Sequence, residues 1–145
     1  MSNPIAFLDE SGDESGKLAR GASPLFMVGL AVFLDSDEAA RCDARIDRLR
    51  SELVKPARYE FHFRSNPHAV RRAFLQAVAP FAFTYYAVTL EKPDTPAAHL
   101  PLYLAACARV CTLAGEALKD ARLIVDAGNP AESHAADRRR RSGSG

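Results

Sequence analysis

The stretch Ile5-Ala6-Phe7-Leu8-Asp9, taken with Leu123-Ile124-Val125-Asp126, decides how this chain is read. Each is a short apolar run that ends in an acid. Such a run predicts a strand covered on both faces, and parallel sheets open their crevices beyond the carboxyl ends of such strands. Side by side and parallel, the two strands would bring Asp9 and Asp126 to one rim. Two carboxylates that close repel unless a cation lies between them, so the pattern points to a divalent metal.

Outward from the first strand, Glu10-Ser11-Gly12-Asp13-Glu14-Ser15-Gly16 is rich in turn formers and leads to the apolar run Leu25 to Phe33, a second strand expected to pair antiparallel with the first. Asp35 with Glu38 makes a capping-box-like start, and Cys42, Ile46, Leu49 and Leu53 recur at helical spacing up to a stop before Pro56. Asn66-Pro67 reads as the cap and first turn of another helix, with Val70, Phe74 and Val78 as its buried stripe and Pro80 as its end. Phe81 to Glu91 is rich in aromatic and β-branched residues and predicts a third strand. After a loop from Thr95 to Pro101 comes a long helix with the stripe Leu104, Cys107, Cys111, Ala114 and Leu118, running into the strand that ends at Asp126. The order is β-β-α-α-β-α-β.

Composition narrows the class. The 145 residues suit one domain with a sizeable core, and 19 basic against 18 acidic residues give a net charge of +1, which supplies no global argument for a nucleic-acid or membrane partner, so any such partner must be recognised locally. Cys42, Cys107 and Cys111 are odd in number and fall in helical patterns, which speaks against a disulfide framework and for a reducing, cytoplasmic setting. The apolar run from Leu25 to Leu34 is too short to span a bilayer, and no signal segment is recognised. Past Asp126, Ala127-Gly128-Asn129-Pro130 is a turn, and residues 131–145 read as a disordered tail ending in Arg138-Arg139-Arg140-Arg141. Clustered arginines can grip phosphate, although a run of this kind on a neutral domain is first of all a solvated end.

Arg58-Tyr59-Glu60-Phe61-His62-Phe63-Arg64 alternates polar and aromatic residues throughout. Extended, it would put Tyr59, Phe61 and Phe63 on one side and Glu60 and His62 together on the other. A carboxylate and an imidazole so placed can share one metal, or one can ligate while the other moves a proton. The competing reading is a half-exposed edge strand with a charged outer side.

Phe7-Leu8-Asp9-Glu10-Ser11-Gly12-Asp13, Glu60-Phe61-His62 and Leu123-Ile124-Val125-Asp126, in that order, resemble the signature of the family catalogued as domain of unknown function 3800, which is grouped with RNase H-like folds. The similarity spans most of residues 4 to 130. It implies a single α/β domain over 1–130 with an RNase H-like mixed sheet: a β-hairpin and third strand, a helix, and a parallel strand, with residues 37–79 as a helical insertion. It also implies a metal-dependent nuclease in which Asp9, Glu60 and Asp126 match the acidic positions that bind metal, with His62 and Glu10 as helpers. Similar proteins continue through another helix, a strand and a final helix carrying a Gln-x-Ala-Asp-like stretch. That stretch is missing here, so the chain is expected to be incomplete at its C-terminal side or completed by a partner or second copy covering the sheet.

These residue types suit phosphodiester hydrolysis. Two Mg²⁺ or Mn²⁺ ions about 4 Å apart activate water and neutralise the attacking and leaving oxygens, and such hard ions prefer carboxylate oxygen. His62 is a candidate proton carrier. Glu10 alternates away from Asp9 as long as the strand lasts and reaches a metal only if the chain turns at Ser11-Gly12. Use of Asp9 as a phosphoryl-accepting nucleophile is disfavoured, because Ser11 stands where a phosphatase of that kind places a second aspartate. The alternative to a nuclease is an inactive fragment acting as a binding or interaction module. Nothing in the sequence separates RNA from DNA as substrate.

Overall fold

The computed structural model describes residues 2–11, 24–92 and 99–125. Residues 12–23, 93–98 and 126–145, and with them Asp126, the turn expected at 127–130 and the tail expected at 131–145, lie outside the described residues. The elements are β1 (Ile5–Ser11), β2 (Leu25–Phe33), α1 (Ser36–Glu52), α2 (His68–Val78), β3 (Thr84–Glu91), α3 (His99–Ala114), a 3-10 turn (Gly115–Leu118) and β4 (Arg122–Val125). The expected order of strands and helices is therefore the observed one. The sheet runs β3-β2-β1-β4. β1 and β2 pair antiparallel from Ile5↔Phe33 to Ser11↔Met27, and β2 and β3 pair antiparallel as well. β1 and β4 pair in parallel, from Ile5↔Arg122 to Leu8↔Val125. The fold is mixed α/β. No described helix is long and apolar enough to cross a membrane.

Alternation along the strands makes two faces with different fates. Ala6, Leu8, Val28, Leu30 and Val32 point to one face and form the main core with Ala106, Val110 and Ala114 of α3. Small side chains at 106 and 114 let the helix lie close to the sheet. The buried stripe of α3 is thus centred one step from the predicted one: Cys107 and Cys111 flank the core, and Leu104 is 58% exposed. The second core lies on the opposite face, where Ile5 and Phe33 meet Ala39 and Cys42 of α1 and Val78 of α2. Phe74, Phe81 and Phe83 pack around it, and the Phe33 and Phe83 rings sit 5.3 Å apart.

The predicted covering on both faces forms along most of β1, whose Ile5, Ala6 and Leu8 are buried, and does not form for β4. All four residues of β4 are exposed, Leu123 and Val125 at 45% each, and Phe7 of β1 is 39% exposed. The physical reason is position: β4 is an edge strand, and α3 packs over β2 and β3 instead.

Local chemistry fixes the helix ends. Asp35 caps α1, its carboxylate accepting from the Asp37 N–H at 2.8 Å and from the Ser2 hydroxyl at 2.5 Å. Glu38 does not close a capping box. It reaches across to accept the Ala82 N–H at 3.0 Å and pairs with Arg41. At the other end of α1 the Lys55 N–H donates to the Arg50 carbonyl and the Val54 N–H to the Ser51 carbonyl, the two bonds of a Schellman motif. Its left-handed position is held by Val54 at φ 53°, 91% exposed. For α2 the predicted Asn66 cap is absent: Pro67 occupies the N-cap position without a side-chain cap, and Asn66 is buried and accepts from the Tyr59 hydroxyl.

A β-branched residue in left-handed backbone costs about 1–2 kcal/mol, of which glycine would give back about 0.5–1 through its freer unfolded chain. Val54→Gly is therefore expected to stabilise the fold by about 0.5–1 kcal/mol in urea titrations, and a loss of stability would show that the strain is absent. Acid sensitivity follows from the same region. The Ser2 hydroxyl, then the Asp37 N–H, hold Asp35 below the ordinary carboxylate value, and the Ala82 N–H, then Arg41, do the same for Glu38. Depressed carboxylates contribute stability above their unfolded values and lose it as pH falls through the folded ones. Asp35→Asn with Glu38→Gln should flatten the acid limb of a melting-temperature profile, and an unchanged limb would assign it elsewhere.

Candidate functional site

Asp9 stands near the carboxyl end of β1 on the face that also carries Ile5 and Phe7. It is exposed, and one carboxylate oxygen accepts the Glu10 N–H at 2.8 Å, which orients the group and leaves the second oxygen for a ligand. Across the ladder Asp9 pairs with Gly29. A Cβ at Gly29 would meet nothing closer than the Asp9 carbonyl oxygen at 4.0 Å, so the floor beside the carboxylate is open. Gly29 was not singled out from the sequence. Its signal was a lone glycine inside an apolar strand, which often marks a place of close approach.

Glu10 belongs elsewhere. The ladder continues through Glu10↔Val28 and Ser11↔Met27, so the chain does not turn at Ser11, and Glu10 projects to the α3 face while Asp9 projects to the other. The condition under which Glu10 could join Asp9 is therefore not met within the described strand. Lys92, just past β3, is buried, with its backbone N–H donating to the Pro24 carbonyl at 2.8 Å.

The segment 58–64 is not a strand. It is a turn-rich loop between α1 and α2, with the Tyr59 N–H donating to Pro56 and the Ser65 and Asn66 N–H groups both donating to the His62 carbonyl. Tyr59 and Phe61 find a packed side by folding back on the helices instead of entering a sheet, whereas Phe63 stays exposed. Phe61 stands edge-on to Tyr59, with ring centres 5.2 Å apart, and 5.1 Å from Phe74 of α2, with the Arg50 guanidinium 5.8 Å over its ring. The Arg50 Nε also donates to the Tyr59 carbonyl at 2.7 Å.

The outer side is as the alternation foretold. Glu60 and His62 emerge together and form a pair at 2.9 Å, with both side chains about two-thirds exposed or more. The helical pair that carries this loop packs on Ile5 and Phe33, which lie on the Asp9 face of the sheet. Asp9 lies four residues along β1 from Ile5, about 13 Å at strand rise. The structure thus joins Glu60 to His62 on a loop whose flanking helices pack at the Ile5 and Phe33 end of the sheet face that bears Asp9. Among the described residues no group of three or more His, Cys, Asp or Glu side chains is close enough to hold a metal. The β1–β4 register ends at Leu8↔Val125, one residue short of Asp126, which lies outside the described residues.

No family model, curated protein or solved structure matches this chain.

The packing and the exposed pair should separate under mutation. Phe61→Ala removes two ring contacts and a cation–π contact and is expected to cost about 2 kcal/mol. Glu60→Ala and His62→Ala delete an exposed pair and should leave the melting temperature close to that of the parent. Circular dichroism melts of the three variants check this, and a large loss in either outer variant would mean that the pair holds the loop.

Proposed function

We propose that this chain is a divalent-metal-dependent nuclease with an RNase H-like sheet, hydrolysing phosphodiester bonds at the rim where β1 and β4 end. The observation that carries the reading is the parallel pairing of these two strands, because one further step of the register would set Asp126 opposite Asp9. Parallel neighbours ending together form the crevice in which α/β sheets bind ligands. The resemblance to the domain of unknown function 3800 family assigns the same acids, and the exposed Glu60–His62 pair offers a third carboxylate and a base.

The donors fit the group they are assigned. Asp9, Asp126 and Glu60 offer hard oxygen, which Mg²⁺ and Mn²⁺ prefer, and no side chain stands on Gly29 across the ladder from Asp9. When bound, such ions supply charge neutralisation for the attacking and leaving oxygens. Asp9 holds its position through the backbone N–H of Glu10. Glu60 accepts from His62, and that contact orients the imidazole to take or return a proton. Three free thiols fit a reducing, cytoplasmic setting.

A second reading is favoured by the exposure of Leu123, Ile124 and Val125 on an edge strand: an inactive binding module whose open sheet is completed by a partner or a second copy. One experiment separates the two. Labelled RNA and DNA are incubated with the chain in Mg²⁺, Mn²⁺ or chelator, beside Asp9→Asn, Asp126→Asn and Glu60→Gln, and particle mass is measured by light scattering. The nuclease reading expects metal-dependent cleavage that falls about 100-fold or more in each aspartate variant. Equal cleavage by parent and variants, or none in a dispersed parent sample, overturns it, and an inactive parent of doubled mass supports the module.

A further inference from the structure

The loop that presents Glu60 and His62 continues into Phe63, and there it forms one wall of a groove along α2. The groove has a volume of about 660 Å³, and its chemistry is set by Phe63, His68, Arg71, Arg72 and Leu75. Three of these can carry positive charge, and no acid among the described residues lines the groove. Phe63 is 61% exposed and Leu75 53%, an unusual cost for apolar groups beside open cations.

The arrangement is built. Arg71 donates from Nε to the Asn66 carbonyl at 2.8 Å and from Nη2 to the Arg64 carbonyl at 3.2 Å, so its guanidinium plane is held. The same plane lies 4.8 Å from the centre of the Phe63 ring. One side of the ring is thereby fixed on a cation, and the ring as a whole remains largely open. Arg72 and His68, one residue beyond and three before Arg71 on α2, lie along the groove.

We infer that this groove is a track for single-stranded nucleic acid, in which a base stacks on the Phe63–Arg71 platform and the adjoining phosphates lie against Arg72 and His68. A flat hydrophobic ring paired with a fixed guanidinium suits a planar partner, and loose cations beside it suit a polyanion. Both demands are met by one strand and not by a duplex, whose bases are stacked on each other. An acidic peptide would satisfy the charges and leave the ring unused. The inference takes its polymer from the nuclease reading, and it names the strandedness of the substrate that the Glu60–His62 loop would receive.

Fluorescence anisotropy tests it with labelled 20-nucleotide oligo-dT and oligo-U, the matching duplexes, and poly-glutamate as competitor, all in chelator so that no cleavage occurs. Single strands are expected to bind more tightly than duplexes. Phe63→Ala should weaken binding about 10-fold and Phe63→Trp should retain it, as base–aromatic stacking requires. Arg72→Gln should lower the salt slope by about one ion, while Arg48→Gln on α1 changes neither. Arg71 is left intact because it also ties the loop. Equal binding of duplex, indifference to Phe63→Ala, full competition by poly-glutamate, or no binding at low salt overturns the inference. Binding without cleavage in metal sinks the nuclease reading alone, and cleavage unaffected by the groove variants sinks the groove alone.

Discussion

The parallel ladder between β1 and β4 is the constraint from which the rest of the molecule follows. A parallel neighbour cannot be reached by a tight turn and needs a crossover, which here is α3. That helix must lie on the sheet to return the chain, and the small residues Ala106 and Ala114 with Val110 between them make the close approach possible. Burying one face in this way commits Ala6, Leu8 and their β2 partners to the core. By the same alternation it sends Asp9 to the other face.

That second face is only partly covered. α1 and α2 close over its Ile5 and Phe33 end and leave the Asp9 end open, with Gly29 beside the carboxylate. The sheet therefore has a stability end and an open end on one face, separated by Phe7, whose ring meets Phe33 edge-on at 6.2 Å. Glu10 illustrates how strict the division is: one step along the chain moves a carboxylate from the open rim to the helix-covered side.

Much of the fold was legible because apolar runs and helical spacing answer to burial, and the removal of apolar surface from water is the dominant force that drives folding. The strand order of the hairpin, the parallel pairing and the cap at Asp35 were all readable from residue types. Readings failed where a pattern had two physical solutions. The alternation at 58–64 is satisfied equally by a strand and by a loop whose aromatic side folds back on α1 and α2, and only the contacts of Phe61 with Phe74 and Arg50 distinguish them. The stripe Leu104, Cys107, Cys111, Ala114 and Leu118 follows helical spacing, yet Ala106 and Val110 at a neighbouring rotation of the same helix are the buried positions. Distance to the sheet, which favours alanine, decided the rotation of the helix. Coverage of β4 was beyond reach, since an apolar strand reads the same in the middle of a sheet and at its edge. For the site, the partnership of Glu60 and His62 was visible in their spacing and Gly29 carried the signal of a lone glycine in an apolar strand, whereas its place opposite Asp9 depends on cross-strand register and the Phe63–Arg71 stack on loop carbonyls that leave no mark in the sequence.

Charge placement gives the helical unit a purpose beyond packing. Arg50 at the end of α1, Lys55 just beyond it and Arg71 on α2 each lie over an aromatic ring of the connecting loop, Phe61, Tyr59 and Phe63 in turn. Arg50 and Arg71 also bond loop carbonyls, so the cations that neutralise nothing in the core act as ties for an otherwise irregular segment. Arg50 pairs with Asp47 as well, so the segment that lost its place as a strand is held by guanidinium–carbonyl bonds and ring contacts from both flanking helices, and that is the backbone from which Glu60 and His62 project.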